Sequence, residues 1–72
     1  MNFTTENQKE NNISRTTTQT VNHNIYSNLS VTIIGFNNSF SVWTNTGLRT
    51  WRNFEKLTLE KAIVEANKLI TL

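Results

Sequence analysis

The stretch LSVTIIGFNNSFSVWTNTGLRTWRNFEKLTLEKAIVEANKLI, Leu29 to Ile70, decides the fold. Leu29-Ser30-Val31-Thr32-Ile33 alternates apolar and polar residues, the period of a half-buried strand, and the run continues through Ile34-Gly35-Phe36. Asn37-Asn38 tolerates positive φ and suits a tight hairpin turn. Phe40-Ser41-Val42-Trp43-Thr44 resumes the alternation. Asn45-Thr46-Gly47 supplies a second turn, with Gly47 at its left-handed position, and Leu48 to Phe54 forms a third strand. Thr58 is a helix N-cap, and Glu60 in the first turn favours the macrodipole. From there Leu59, Ala62, Ile63, Ala66, Leu69 and Ile70 recur at helical spacing as one apolar stripe. The expectation over residues 25–72 is a single small α+β domain, a three-stranded antiparallel sheet with one C-terminal helix packed on one face. Some of Leu29, Val31, Ile33, Phe40, Val42 and Leu48 would meet the stripe, with the small Ala62 and Ala66 allowing close approach.

Residues 1–24 read differently. Apolar residues are sparse there (Phe3, Ile13, Val21), so the segment offers little surface to offset the entropy of ordering it. It is expected to be a polar arm, flexible or ordered by a partner. Within it the β-branched run from Thr16 to Val21 favours extended backbone, which leaves two outcomes for Thr16 to Ile25 besides disorder: a fourth strand, or pairing with another chain.

A helix on one face leaves the other face of the sheet open. Simple alternation puts Ser30, Thr32, Ser41, Trp43, Arg49, Trp51 and Asn53 on that open face. Tryptophan and arginine are the types most enriched at binding hot spots, so this face is the candidate partner surface. The competing reading is structural: in so small a domain one or both tryptophans complete the core, or the arm covers them. A register slip of one residue would exchange the faces.

The chain of 72 residues contains no Cys, no Asp, no Pro and a single His, while Asn and Thr make up about a third of it. Thiolate, disulfide and paired-aspartate chemistry are therefore excluded, and neither His23 nor the scattered glutamates form a recognisable catalytic or metal-binding pattern. No enzymatic activity, cofactor or metal is expected. No apolar run approaches the roughly 20 residues needed to cross a bilayer, and the start has no secretory pattern, so a cytoplasmic location away from membranes is expected.

The basic-aromatic segment Arg49-Thr50-Trp51-Arg52-Asn53-Phe54-Glu55-Lys56 is the nearest thing to a motif. Aromatic faces stack on bases while Arg and Lys neutralise phosphates, which makes a nucleic-acid platform an alternative function. Three strands followed by a helix are similar in outline to the integrase arm-binding domains, which insert a sheet into the DNA major groove. The resemblance covers Leu29 to Ile70 as topology, with Trp51-Arg52 near the third strand and Thr58-Leu59-Glu60-Lys61-Ala62 opening the helix. Ser27 to Leu48 holds no charged residue, however, and the net charge is only +2. The preferred expectation is thus a small non-enzymatic binding protein of phage or mobile-element type, an inhibitor or adaptor whose partner is a protein. Trp43, Arg49, Trp51, Arg52, Asn53 and Lys56 are its expected contact residues. Homodimerisation by edge-strand pairing is compatible with either function.

Overall fold

The chain builds its sheet outward from one hairpin. In the computed structural model, which describes residues 2–5, 8–11 and 16–72, strands β3 (Ser30–Phe36) and β4 (Ser39–Asn45) are joined by Asn37-Asn38, both at positive φ (52° and 62°). Positive φ at both central residues is the twist that a two-residue hairpin requires, and asparagine tolerates it. On β3 and β4 the alternation predicted from sequence holds: Val31, Ile33 and Val42 are buried, and they lie on the face that meets the helix. Strand β5 (Thr50–Leu57) follows, so the third strand begins two residues later than alternation indicated; Leu48 lies in the turn and is 95% exposed.

Helix α1 (Leu59–Leu69) starts as read, with the Thr58 hydroxyl accepting from Lys61 N at 3.3 Å. Ala62, Ala66 and the C-capping Ile70 are fully buried, and Ile63 and Leu69 pack at the margin of the same cluster. The helix lies over β3 and β4 and touches β5 less. The α+β architecture is therefore as expected, and the optional fourth strand is present as β2 (Thr16–Asn22), antiparallel to β3. A short further strand, β1 (Lys9–Asn11), pairs with Thr16 to Thr18, giving a meander in the order β1-β2-β3-β4-β5.

The described parts of the N-terminal quarter differ from a polar arm. Strand β2 is interior to the sheet, Val21 is buried, and Phe3 is 2% exposed within the core. The physical reason is that α1 does not reach over β2, and the benzyl group of Phe3 fills the space. Asn67 of the helix holds it there by grasping both polar main-chain groups of Phe3: Phe3 N donates to Asn67 Oδ1 at 2.8 Å, and Asn67 Nδ2 donates to Phe3 O at 3.3 Å. Residues 1, 6, 7 and 12–15, which the arm expectation also covered, lie outside the described residues.

The other end of β2 is tied through His23, which is 5% exposed. Its Nδ1 accepts from Ile25 N and Tyr26 N, so the ring proton resides on Nε2, which donates to Leu72 O at 2.7 Å. One imidazole thereby fixes the β2–β3 loop against the end of the helix, where Asn24 N also donates to Ile70 O. The lone histidine has a structural task. No helix among the described residues is long and apolar enough to cross a membrane.

Gly35 faces Phe40 across the β3–β4 ladder, and a Cβ at this position would run into the Phe40 ring and come 2.7 Å from Thr17 Oγ1. Gly35→Ala should therefore cost about 1–3 kcal/mol through overpacking. Phe3→Ala should cost more, about 3–5 kcal/mol, because it empties a fully buried aromatic site. Urea denaturation followed by circular dichroism checks both. An unchanged midpoint for Phe3→Ala would return the N-terminal segment to the status of an arm.

Candidate functional site

Strand β5 decides which side chains share the open face, and it is irregular. Asn45↔Thr50, Thr44↔Trp51 and Trp43↔Arg52 are in register, but Val42 pairs with Phe54 and Phe40 with Leu57. One residue is gained at each shift, so β5 carries two bulges, the second containing Lys56 at φ 58°. Directly opposed residues of an antiparallel pair share a face. Trp43 and Arg52 are consequently on the open face. Trp51, opposite the buried Thr44, is on the helix side, and so is Asn53, whose Oδ1 accepts a hydrogen bond from the Thr44 hydroxyl.

These positions on β5 differ from those given by simple alternation. The tryptophans lie on opposite sides of the sheet, and Arg52 takes the place on the open face that alternation gave to Trp51. Trp51 and Phe54, 41% and 39% exposed, instead form the flank of the helix side that α1 leaves uncovered. Arg49 belongs to the hairpin tip rather than to a face. Its main chain closes the β4–β5 turn, with Thr46 N donating to Arg49 O at 2.9 Å and Arg49 N donating to Thr46 Oγ1 at 3.2 Å.

What the open face brings together is a polar row that ends in a stacked pair. Thr20, Thr32, Trp43 and Arg52 are successive cross-strand neighbours over β2, β3, β4 and β5. The hydroxyls of Thr20 and Thr32 are 2.8 Å apart. The guanidinium of Arg52 lies 5.6 Å from the Trp43 ring centroid, within cation–π range. Trp43 Nε1 donates to Ser41 Oγ at 2.8 Å and Ser41 Oγ donates to Ile34 O at 3.3 Å, so the half-buried indole is held in one orientation. Arg52 also pairs with Glu55 at 3.3 Å, and both side chains are about half exposed. At such exposure the ion pair adds little stability, but it neutralises the guanidinium charge locally.

Beside this pair runs a shallow groove of about 310 Å³, between Ile34, Phe36 and Ser41 on one side and Arg52, Glu55 and Lys56 on the other. Ile34 and Phe36 are apolar residues at positions where alternation calls for polar ones, a signal that was readable in Ile33-Ile34-Gly35-Phe36. Glu55 joins the site because the first bulge shifts the phase of β5. The arrangement has an apolar floor and charged groups of both signs at its rim, and the indole of Trp43 adjoins it through Ser41 and Arg52, which suits a side chain or short segment of another macromolecule.

Because Lys56 holds a left-handed backbone conformation, its main chain shapes the rim of the groove. A non-glycine residue in that region is strained by about 1 kcal/mol or more. Lys56→Gly should preserve the fold and raise the denaturation midpoint slightly, whereas Lys56→Val, β-branched in the same conformation, should lower it. Equal midpoints for the two variants would contradict the second bulge. No family model matches the chain, and no curated protein or solved structure matches it significantly.

Proposed function

We propose that this chain is a small non-enzymatic inhibitor or adaptor, of the type that phages and mobile elements encode, acting in the cytoplasm by binding a protein through the open face of its sheet. The observation that carries the reading is the Trp43–Arg52 stack, an indole fixed by its own hydrogen bond and placed on the solvent side of the sheet next to an apolar groove. Rigid aromatic and arginine anchors of this kind dominate interface energies, since little side-chain entropy remains to be lost when the partner arrives. The local charge argues in the same direction. Arg52 is matched by Glu55, and the face across β2, β3 and β4 carries hydroxyls, amides and the apolar Ile34, Phe36 and Trp43, with no lysine or arginine.

Nucleic-acid binding through Arg49, Trp51, Arg52 and Lys56 is the alternative, and the dispersal of these residues over the hairpin tip, both faces and a bulge weakens it as a single platform. The test uses the full chain as bait in affinity capture from the native host, with Trp43→Ser as its counterpart. The variant should keep its circular dichroism spectrum and lose the captured protein, with binding weakened roughly thirty-fold or more, the consequence of removing a hot spot worth about 2 kcal/mol. Tight binding of nonspecific DNA or RNA with a steep salt dependence, indifferent to Trp43→Ser, would replace this reading with the nucleic-acid one.

A further inference from the structure

The two outer edges of the sheet are not equivalent. On β5 the edge is broken by two bulges and carries Arg52, Glu55 and Lys56, the devices by which a strand discourages further pairing. On the opposite side β1 covers β2 only from Thr16 to Thr18. Beyond Thr18 the edge of β2 has no strand partner among the described residues, and a groove of about 390 Å³ runs along it from Thr20 to Asn24. Between Thr16 and Asn24 there is no charged residue, proline, glycine or bulge to guard it.

Hydrogen bonding fixes which main-chain groups face that groove. His23 N donates to Leu29 O at 2.8 Å, toward β3. In an antiparallel ladder alternate residues direct their N–H and C=O to the same side, so Gln19, Val21 and His23 serve β3 while Thr20 and Asn22 turn theirs outward. The Thr20–Thr32 hydroxyl contact agrees, because side chains approach most closely in pairs that exchange no main-chain bonds with each other. Two residues apart on a flat strand, these donors and acceptors repeat at about 7 Å, the spacing of a strand's own ladder groups.

We propose that the groove along Thr20–Asn24 is a β-augmentation site that takes an extended, uncharged peptide strand of a partner protein, in the lane beside β2 that no described residue fills beyond β1. Main-chain bonds to Thr20 and Asn22 supply the recognition, which is the general chemistry of strand addition. The absence of charge along the edge selects against strongly acidic or basic segments. A second copy of this chain fits the lane poorly: its own β1 would enter the same lane, limiting the overlap to Thr20 through Asn22. The site is independent of the Trp43 face and stands whether or not that face binds a partner.

The test is amide NMR on the isotopically labelled full chain, with an acetylated and amidated peptide of alternating threonine and valine as the probe. In the unliganded protein the amides of Thr20 and Asn22 should exchange quickly and that of Val21 slowly. Peptide should shift resonances from Gln19 to Asn24 and slow exchange at Thr20 and Asn22 about tenfold when its concentration is ten times its Kd. The same peptide N-methylated at the residues that face the edge should do neither. Four results would overturn the proposal: protection of Thr20 and Asn22 in the unliganded monomer, no shifts with millimolar peptide, shifts centred on Trp43, or equal binding of the N-methylated peptide. Protection that appears only with rising protein concentration, together with dimer sedimentation, would assign the edge to a second copy instead.

Discussion

A single helix is narrower than the sheet it must cover, and the rest of the structure depends on that mismatch. Helix α1 has eleven residues, a rod about 16 Å long and 10–12 Å wide. Five strands at about 4.8 Å spacing make a sheet roughly 19 Å across. The helix therefore seals only the middle, where Ala62 and Ala66 bring its backbone close to Val31, Ile33 and Val42. Each flank is then solved separately. On the β2 side a residue far away in sequence, Phe3, is brought in and clamped by Asn67. On the β5 side no described residue covers the sheet, and Trp51 and Phe54 stay partly in water.

Two bulges set which side chains of β5 share each face. Without bulges, strict alternation would continue unbroken from Thr50 to Leu57. The first extra residue puts Phe54 on the helix side and brings Glu55 to Arg52 on the other, and the second restores the original phase by Leu57. Bulges also increase local twist, which makes β5 a poor template for further strands. The irregularity that shapes the rim of the open-face groove is thus also what closes one edge of the sheet. At β2 beyond Thr18 the edge has no strand partner among the described residues, and the main-chain groups of Thr20 and Asn22 point outward.

The central hairpin and the helix were legible in the sequence because several local signals agree there: alternation on both strands, Asn37-Asn38 between them, Thr58 as the cap and the stripe that ends at Ile70. The N-terminal quarter was legible only in part. The β-branched run announced β2, but a composition argument averages over a segment, and a single anchoring side chain such as Phe3 is invisible to an average. The faces of β5 depart from simple alternation for a different reason. Turn chemistry at Asn45-Thr46-Gly47 marks a turn without fixing its length, and extending the strand back to Leu48 carried the alternation to Trp51 with the wrong phase. No sequence signal announced the bulge at Asn53 and Phe54, whereas Lys56 in a left-handed conformation runs against residue preference and was legible only in the structure.

The abundance of asparagine and threonine, which by itself resembles the composition of a disordered chain, becomes intelligible position by position. Asn37 and Asn38 supply the left-handed turn, Asn45 Oδ1 accepts from Gly47 N, Asn53 accepts from Thr44, and Asn67 holds Phe3. Threonines supply β-branched backbone preference in β2 and the cap of α1. With no cysteine to staple so thin a core, side-chain amides make the long-range ties that disulfides make in other small domains. The substitution has a cost. Gln19 accepts from Thr4 N and from Gln8 Nε2, yet Gln19 Nε2 and Gln8 Oε1 are buried and find no partner among the described residues. An unmatched buried donor and acceptor oppose folding by about 1–3 kcal/mol each. Next to them Phe3 favours docking by a comparable amount, so the seam between the N-terminal segment and β2 gains little net stability, and it borders the stretch of β2 that has no strand partner among the described residues.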